Sequence, residues 1–253
     1  MRPVLSLLLL ATALASPGRA GEREAVLAQA AAAEHSLDLG KARQCYLAAD
    51  RLQPNDPVVL QKIARQYSNL SDGIASPEER RRMVETALGY AERSVALQPK
   101  SAVNVLSLAI CHGKLAAVSA VRQKIALSRL VRDEALRALD LDPSYGWADY
   151  VLGCWNLGVA SLNGAERLVT RVFYGGLPPA SVDNAIHLLQ RAVELDPDEP
   201  THVIELGFAY RAAGRETAAR AAFQRGLAMQ SREAFDLEAQ GRARLALSDP
   251  DAK

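Results

Sequence analysis

The sequence predicts an all-α protein: a right-handed α-solenoid of about five helix-turn-helix units, with long inserts and a C-terminal capping helix. Two observations support this prediction. Hydrophobic residues make up 49% of the chain and aromatic residues only 5%, with abundant Ala and Leu, a composition that favours helix over strand. A fixed spacing of small residues and proline also recurs along the chain, which indicates internal repeats.

The amino terminus resembles an export signal. Arg2 precedes an apolar run from Val4 to Ala15, and small residues follow, which is the organisation of a cleavable signal peptide over residues 1–20. The run is too short to cross a bilayer as a mature helix. We expect cleavage after Ala20, with Ala15 as the alternative, in a bacterial protein that is periplasmic or secreted.

The charge balance argues against two classes of partner. The chain has 30 basic residues, and removal of Arg2 and Arg19 leaves 28 against 29 acidic residues. A near-neutral chain gives no reason to expect nucleic acid or a strongly anionic membrane as partner. We also expect no integral membrane segment in the mature chain, because Asn104, His112 and Lys114 interrupt its most apolar stretch.

The clearest repeat covers residues 200–233. Gly207, Tyr210, Ala219 and Phe223 have the spacing of the tetratricopeptide pattern, which places two helices in roughly 34 residues. The second-helix ending of such a unit recurs upstream with identical internal spacing, and each copy ends in a proline that cannot continue a helix. The four copies are Ala42-Tyr46-Ala49-Pro54, Ala87-Ala91-Ser94-Pro99, Val131-Ala135-Ala138-Pro143 and Ala185-Leu189-Ala192-Pro197.

These repeats predict a single helical domain over residues 21–248, followed by a tail at 249–253. Small and aromatic residues at recurrent positions are expected to set the close packing of paired helices. The predicted units are about 23–56, 57–101, 102–145, 146–199 and 200–233, with a cap at 234–248. The structural repeat positions are Ala42, Ala87, Gly153, Ala185, Gly207, Tyr210, Ala219 and Phe223.

The extra length of the middle units is predicted to lie between their two helices. The Ser76-Pro77-Glu78-Glu79 segment is a capping box with proline at the first helical position, so an early, long second helix is expected. Apolar periodicity predicts one extended helix over residues 115–141. The fourth unit has the longest insert, an amphipathic helix near Ala165 to Tyr174 followed by a loop.

A more specific resemblance covers residues of about 60 to 215, which are similar to the tetratricopeptide-like domain of the regulator of microtubule dynamics protein family. Four segments support it: Ala109-Ile110-Cys111-His112-Gly113, Leu152-Gly153-Cys154-Trp155, Phe173-Tyr174-Gly175-Gly176-Leu177-Pro178-Pro179 and Ala192-Val193-Glu194-Leu195-Asp196-Pro197. The resemblance implies a helical fold and a binding role, without catalytic residues. Animal members are associated with membranes or microtubules, whereas this chain starts with an export signal, so the microtubule partner is not carried over.

The repeat resemblance also implies which residues face the concave groove. That surface is apolar, with Arg65, Asn69 and Lys114 among the few polar candidates. Either the inserted helices fold into the groove and bury these residues, or the groove stays open for a partner. The predicted groove residues are Leu106, Ile110, Trp147, Tyr150, Cys154, Ile204, Phe208 and Arg211.

The remaining reactive residues indicate no catalytic or metal site. The four histidines are scattered, and the three cysteines lack the paired spacing of zinc or redox sites. Cys111 and Cys154 lie at similar heights on adjacent first helices, so they form either a disulfide or, with Cys45, a set of small buried residues.

The predicted function is therefore non-catalytic binding without a cofactor. The first hypothesis is an extracytoplasmic scaffold that binds a helix or peptide of a partner protein in its groove. The alternative is a carrier of an apolar small molecule or lipid, and an unrecognised enzyme is the remote third. Pull-down of a partner would favour the first, and a co-purified lipid the second.

Overall fold

The computed structural model describes residues 17–248. The predicted signal segment up to Ser16 and the tail at 249–253 lie outside the described residues. Helices account for every regular element of the described part, which has no strand. The twelve helices are α1 (Pro17–His35), α2 (Leu39–Leu52), α3 (Pro57–Asp72), α4 (Pro77–Leu97), α5 (Ala102–Ala117), α6 (Val121–Leu141), α7 (Gly146–Ala160), α8 (Gly164–Tyr174), α9 (Val182–Leu195), α10 (Pro200–Ala212), α11 (Glu216–Ala228) and α12 (Ala234–Ser248).

The helices stack as antiparallel pairs, which confirms the predicted α-solenoid. The pairs are α1 with α2, α3 with α4, α5 with α6, α7 with α9, and α10 with α11. Each second helix also packs against the first helix of the next pair, so the core is continuous along the stack. The first helices α3, α5, α7 and α10 contact one another in succession. They form the inner face of the solenoid.

Capping side chains mark where six of the twelve described helices begin. Asp56 accepts hydrogen bonds from the backbone N–H groups of Val58 and Val59, and Pro57 occupies the first turn of α3. Ser76 caps α4 in the same way by accepting from the Glu79 N–H. Such side chains satisfy N–H groups that have no partner inside the helix.

Two sequence predictions about the middle units are wrong. Residues 115–141 do not form one helix, because a turn at 118–120 separates α5 from α6 and allows the two to pack as a hairpin. The second and third units also lack long inserts between their helices. Their extra residues lengthen α4 and α6, which have 21 residues each; the early start of α4 at Pro77, after the Ser76 cap, is as predicted.

The fourth unit does contain an inserted helix, α8, as predicted. It does not fold into the groove, because α7 pairs directly with α9 while α8 lies beside α6. The groove is covered at one end by a different element, the C-terminal helix α12, which packs on both α10 and α11.

Candidate functional site

A cavity of about 380 Å³ lies on the inner face of the solenoid. Helix α3 forms its polar wall, α5 its apolar wall, and the start of α7 its aromatic end, while Phe235 of α12 closes it from the opposite side. The lining residues are Gln61, Lys62, Ala64, Arg65, Ser68, Asn69, Val103, Leu106, Ser107, Ile110, Cys111, Lys114, Tyr145, Trp147, Tyr150 and Phe235.

The two lysines that line the cavity, Lys62 of α3 and Lys114 at the end of α5, are neutralised by carboxylates. The Lys62 ammonium lies 2.8 Å from Glu34, and the Lys114 ammonium lies 2.6 Å from Asp72. Lys114 also donates to the Ser68 carbonyl at 2.8 Å. The wall therefore offers hydrogen-bonding groups with little net charge, which suits a neutral polar chain better than a free anion.

An ion pair between Arg65 of α3 and Glu233, just before α12, bridges the two sides of the cavity. Burial disfavours the charge of Arg65, but the nearby Glu233 and Glu34 carboxylates outweigh this effect and raise its pKa. The C-terminal segment is thereby joined to the second unit, and the solenoid curves far enough to narrow its own groove.

Aromatic side chains of α7 and α10 support the C-terminal segment. The Trp147 ring lies edge-on to Phe235 and to His202, with ring centroids 5.1 and 4.4 Å away. His202 is fully buried and also stacks on Tyr150 at 5.0 Å. Burial lowers the pKa of His202 to about 4, so this imidazole is neutral at physiological pH and acts as a packing residue.

Two polar groups of α3 on residues that line the cavity have no partner among the described residues. The Ser68 Oγ and the Asn69 Nδ2 are buried without a hydrogen bond, and both residues line the cavity. An unpaired buried polar group costs about 1–3 kcal/mol. Both atoms lie beneath the cavity surface, so a ligand would remove that cost only if the two side chains rotate towards it.

The structure divides the predicted groove residues into two sets. Leu106, Ile110, Trp147 and Tyr150 line the cavity. The remaining predicted residues are packed elsewhere and do not face it; they are Cys154, Ile204, Phe208 and Arg211.

Helix α12 is the reason that part of the predicted groove is closed. Ile204 is fully buried in a cluster with Ala239 and Ala243 of α12, and the Arg211 guanidinium donates to the Ala246 carbonyl at 2.7 Å. Phe208 packs edge-on against Phe223 with centroids 4.8 Å apart. The fifth unit therefore contributes core at these positions instead of groove.

The structural repeat positions lie where paired helices approach closely. Ala42, Ala87, Ala185, Ala219 and Phe223 are fully buried. A Cβ atom on Gly207 would lie 2.6 Å from the Phe223 ring, and one on Gly153 would lie 2.6 Å from the Leu189 Cγ. Tyr210 is half-buried, and its hydroxyl accepts a hydrogen bond from Gln190 at 3.0 Å.

All three cysteines are free thiols, so Cys111 and Cys154 do not form a disulfide. The other predicted alternative, small and largely buried residues, describes them. Cys111 is buried under the apolar wall, and burial raises its pKa to about 12. Burial also raises the pKa of Cys154, to about 11. Neither thiol is ionised at neutral pH, so neither is activated as a nucleophile.

Comparison with known proteins identifies the family. The model of the family "Regulator of microtubule dynamics protein 1-3" matches residues 26–249, most of the chain. The chain belongs to this family.

Curated members of the regulator of microtubule dynamics family are distant in sequence. Regulator of microtubule dynamics protein 1 of Bos taurus is 25% identical over 179 residues, which cover 70% of this chain and 56% of that protein. Regulator of microtubule dynamics protein 3 of Mus musculus is 26% identical over 164 residues, 64% of this chain and 34% of that protein. This chain therefore spans about half the length of the protein 1 relatives, or less.

Solved structures agree on the fold. The crystal structure of a thermophilic TPR protein of Thermus thermophilus matches with a TM-score of 0.67 at 19% identity, covering 90% of this chain and all (100%) of that one. PilF of Pseudomonas aeruginosa matches with a TM-score of 0.53 at 13% identity, covering 92% and 88%. At these identities the likeness extends to the tetratricopeptide fold alone.

Sequence reasoning missed the residues that the C-terminal segment brings to the cavity. Phe235 is one of only four phenylalanines in the chain, and its position in a predicted capping helix was the available signal. Tyr145 follows the helix-ending Pro143 and turns into the cavity. Lys62 and Gln61 of α3 precede the polar residues that the sequence had singled out.

Residues 17–248 contain neither a metal-binding cluster nor a membrane span. No group of three or more His, Cys, Asp or Glu side chains in this range could hold a metal ion. Within the same range, every helix is too short or too polar to cross a bilayer.

Proposed function

We propose that this protein is a non-catalytic extracytoplasmic scaffold that binds an extended segment of a partner protein in the cavity between α3 and α5. The observation that carries the proposal is the two-sided lining of that cavity. Val103, Leu106 and Ile110 of α5 form an apolar strip beside the polar side chains of the neighbouring helix α3. An extended peptide presents side chains and backbone in the same way, on different sides.

The position of α12 favours an extended segment over a helix. Phe235 of α12 lines the cavity together with α3 and α5, and the Arg65–Glu233 pair narrows the groove beside it. A helix is about 10–12 Å across with its side chains, so we expect a partner helix to displace α12, whereas an extended segment of a few residues would need no such change.

The polar wall supplies partners for a peptide backbone. Ser68 Oγ and Asn69 Nδ2 are buried and unpaired in the described chain. An extended segment would give both groups a partner if the two side chains rotate towards the cavity, while its apolar side chains contact Ile110 and Trp147. Peptide recognition of this kind combines backbone hydrogen bonds with side-chain pockets.

The extracytoplasmic location is supported by the amino-terminal sequence and is compatible with the fold. Cleavage after Ala20 would remove only the first residues of α1. The interactions of α1 with the solenoid come later, with Arg23 bonded to Asp56 and with Ala30 and Ala33 buried. Cell fractionation that finds the protein outside the cytoplasm, with the intact mass of a chain that begins at Gly21, would support export. A cytoplasmic protein with the mass of the full chain would refute it.

Site-specific photocrosslinking tests the binding site. A photoreactive residue at Ile110 faces the cavity, and the same residue at Leu195 is a matched control because both positions are 36% exposed. We expect an adduct at Ile110 only, mapped by mass spectrometry to one segment of one partner. Val103→Trp should abolish the adduct because the indole fills the cavity. Equal adducts from both positions, or an adduct that survives Val103→Trp, would refute groove binding.

A second candidate, an apolar small molecule, is favoured by one observation. The cavity volume lies within the about 300–1000 Å³ range of small-molecule sites, and aromatic residues close one end. Native mass spectrometry of the purified protein separates the candidates. A bound mass of a few hundred daltons that Val103→Trp removes would favour the small molecule, and a clean protein mass would count against it.

The microtubule partner named in the family is not part of this proposal. The names of the animal relatives refer to microtubule dynamics, but this chain matches only about half of protein 1. An exported protein would also not meet microtubules.

A further inference from the structure

Helix α8 is held in place by its two ends. At its start, Asn163 and Glu166 form a complete capping box, with both hydrogen bonds at 2.9 Å. At its end, Gly175 adopts a left-handed conformation with φ of 74°, and the Arg129 guanidinium of α6 donates to the Tyr174 and Gly176 carbonyls. These contacts fix a short helix that would be marginal alone.

The apolar face of α8 contributes nothing to this attachment. Thr170 is the only buried residue of the helix, and the opposite face points away from the solenoid. Four large apolar side chains are exposed on that face. They are Leu168 at 62%, Val169 at 42%, Val172 at 63% and Phe173 at 72%.

One arginine borders this apolar face. Arg171 follows Leu168 by three residues, so the two side chains are neighbours on the helix surface. Arg167 lies on the side of the buried Thr170 and donates to the backbone carbonyls of Leu162 and Ala160. In the described part of the chain, neither arginine pairs with a carboxylate, and Glu166 is engaged in the capping box. The edge of the apolar face is therefore positively charged.

We propose that α8 is a membrane-surface anchor, whose apolar face enters the headgroup region of an anionic bilayer while Arg171 contacts lipid phosphates. An apolar face with Leu and Phe beside an arginine-bearing face is the pattern of helices that lie in a membrane interface. The near-neutral net charge of the chain is no obstacle, because the surface potential of a membrane acts locally, within a Debye length.

The charge beside the face favours an anionic bilayer over a second copy of this chain. In an isologous dimer the same face meets itself, and α8 has no free carboxylate to pair with Arg171 because Glu166 is engaged in the capping box. An anionic bilayer supplies phosphates for Arg171 and needs no matching protein surface.

Vesicle co-sedimentation of the full chain tests this proposal. We expect binding to vesicles of phosphatidylcholine with about one third phosphatidylglycerol, and weaker binding to pure phosphatidylcholine. The double variant Leu168→Ser with Phe173→Ser should lower partitioning at least about 100-fold. Arg171→Gln should lower it about fivefold on the anionic vesicles and leave it unchanged on the neutral ones.

A matched control exists on α12. Leu237 and Leu245 are 52% and 66% exposed, so Leu237→Ser with Leu245→Ser removes similar apolar surface far from α8 and should leave binding unchanged. Circular dichroism checks that each variant is folded. Failure of the wild-type protein to bind either vesicle, or equal loss in the control variant, overturns the proposal. Light scattering that shows a dimer lost on Leu168→Ser with Phe173→Ser would assign the face to a second copy and also overturn it.

Discussion

Replacement of Gly153 by alanine tests the close approach of α7 and α9. A Cβ atom at this position would lie 2.6 Å from the Leu189 Cγ, 3.0 Å from its Cδ2 and 3.4 Å from the Ala185 carbonyl oxygen. Leu189 is fully buried, and the nearest atom is its branch carbon, which cannot move without the whole side chain. The two helices would have to separate.

The size of the effect follows from two opposing terms. Overpacking a core costs about 1–3 kcal/mol, and removal of glycine from a helix interior gains about 1 kcal/mol. The contact at Gly153 is close to the backbone, so we place the cost near its upper limit and expect a net destabilisation of about 1–2 kcal/mol. In a protein of this size that lowers the Tm by about 2–8 °C.

The control is Gly158→Ala in the same helix. A Cβ atom there meets nothing within 4 Å, so the change should stabilise the protein by about 0.5–1 kcal/mol. Urea unfolding followed by circular dichroism measures both variants. A Gly153→Ala protein as stable as Gly158→Ala would refute the packing of α7 against α9 described here.

Three further predictions concern the attachment of α12. Burial lowers the pKa of His202 from 6.5 to about 4, so the unfolded chain binds a proton at this imidazole more tightly than the folded chain does. The free energy of unfolding should therefore be highest above about pH 6.5 and fall by about 2–3 kcal/mol towards pH 4. His202→Phe should remove this loss, as measured by urea unfolding at both pH values. Asp236 accepts from Thr201 Oγ1 at 2.6 Å and from two backbone N–H groups before α12 at 2.9 Å, so Asp236→Ala should cost about 2–4 kcal/mol, with hydrogen exchange fastest in α12. Arg65→Met should change the global free energy of unfolding by no more than about 1 kcal/mol, because the ion pair with Glu233 is partly exposed. It should nevertheless speed hydrogen exchange in the segment before α12. Unchanged exchange in that segment would contradict a bridge across the cavity.

The repeats could be predicted from sequence because their signals are local. Asp56 with Pro57, and Ser76 with Pro77, each start a helix through a side chain and a ring that act within one turn. The break at 118–120 carried no such signal, since the apolar periodicity continues from Leu115 across it. In the structure, the Ser119 hydroxyl donates to the Leu115 carbonyl at 2.7 Å, a local bond that competes with helix continuation.

The candidate site was predictable only where it depends on a single helix. Leu106 and Ile110 face the cavity because their positions within a first helix decide their direction. The half of the predicted groove that is closed depends on the position of α12. The repeat pattern does not determine where a capping helix docks. The position of Phe235 in a predicted capping helix did not indicate that it would meet Trp147, nor that Ala239 and Ala243 of the same helix would cover Ile204.

The position of α12 connects stability to binding in this protein. The same helix completes the core of the fifth unit through Ala239 and Ala243 and supplies Phe235 to the cavity wall. A ligand that contacts Phe235 therefore stabilises the docked position of α12, since binding to one state of an equilibrium favours that state. Hydrogen exchange in α12 should accordingly slow when the cavity is occupied. A partner helix that displaced α12 would have the opposite effect on the same amides, so this measurement distinguishes an extended ligand from a helical one without knowledge of its identity.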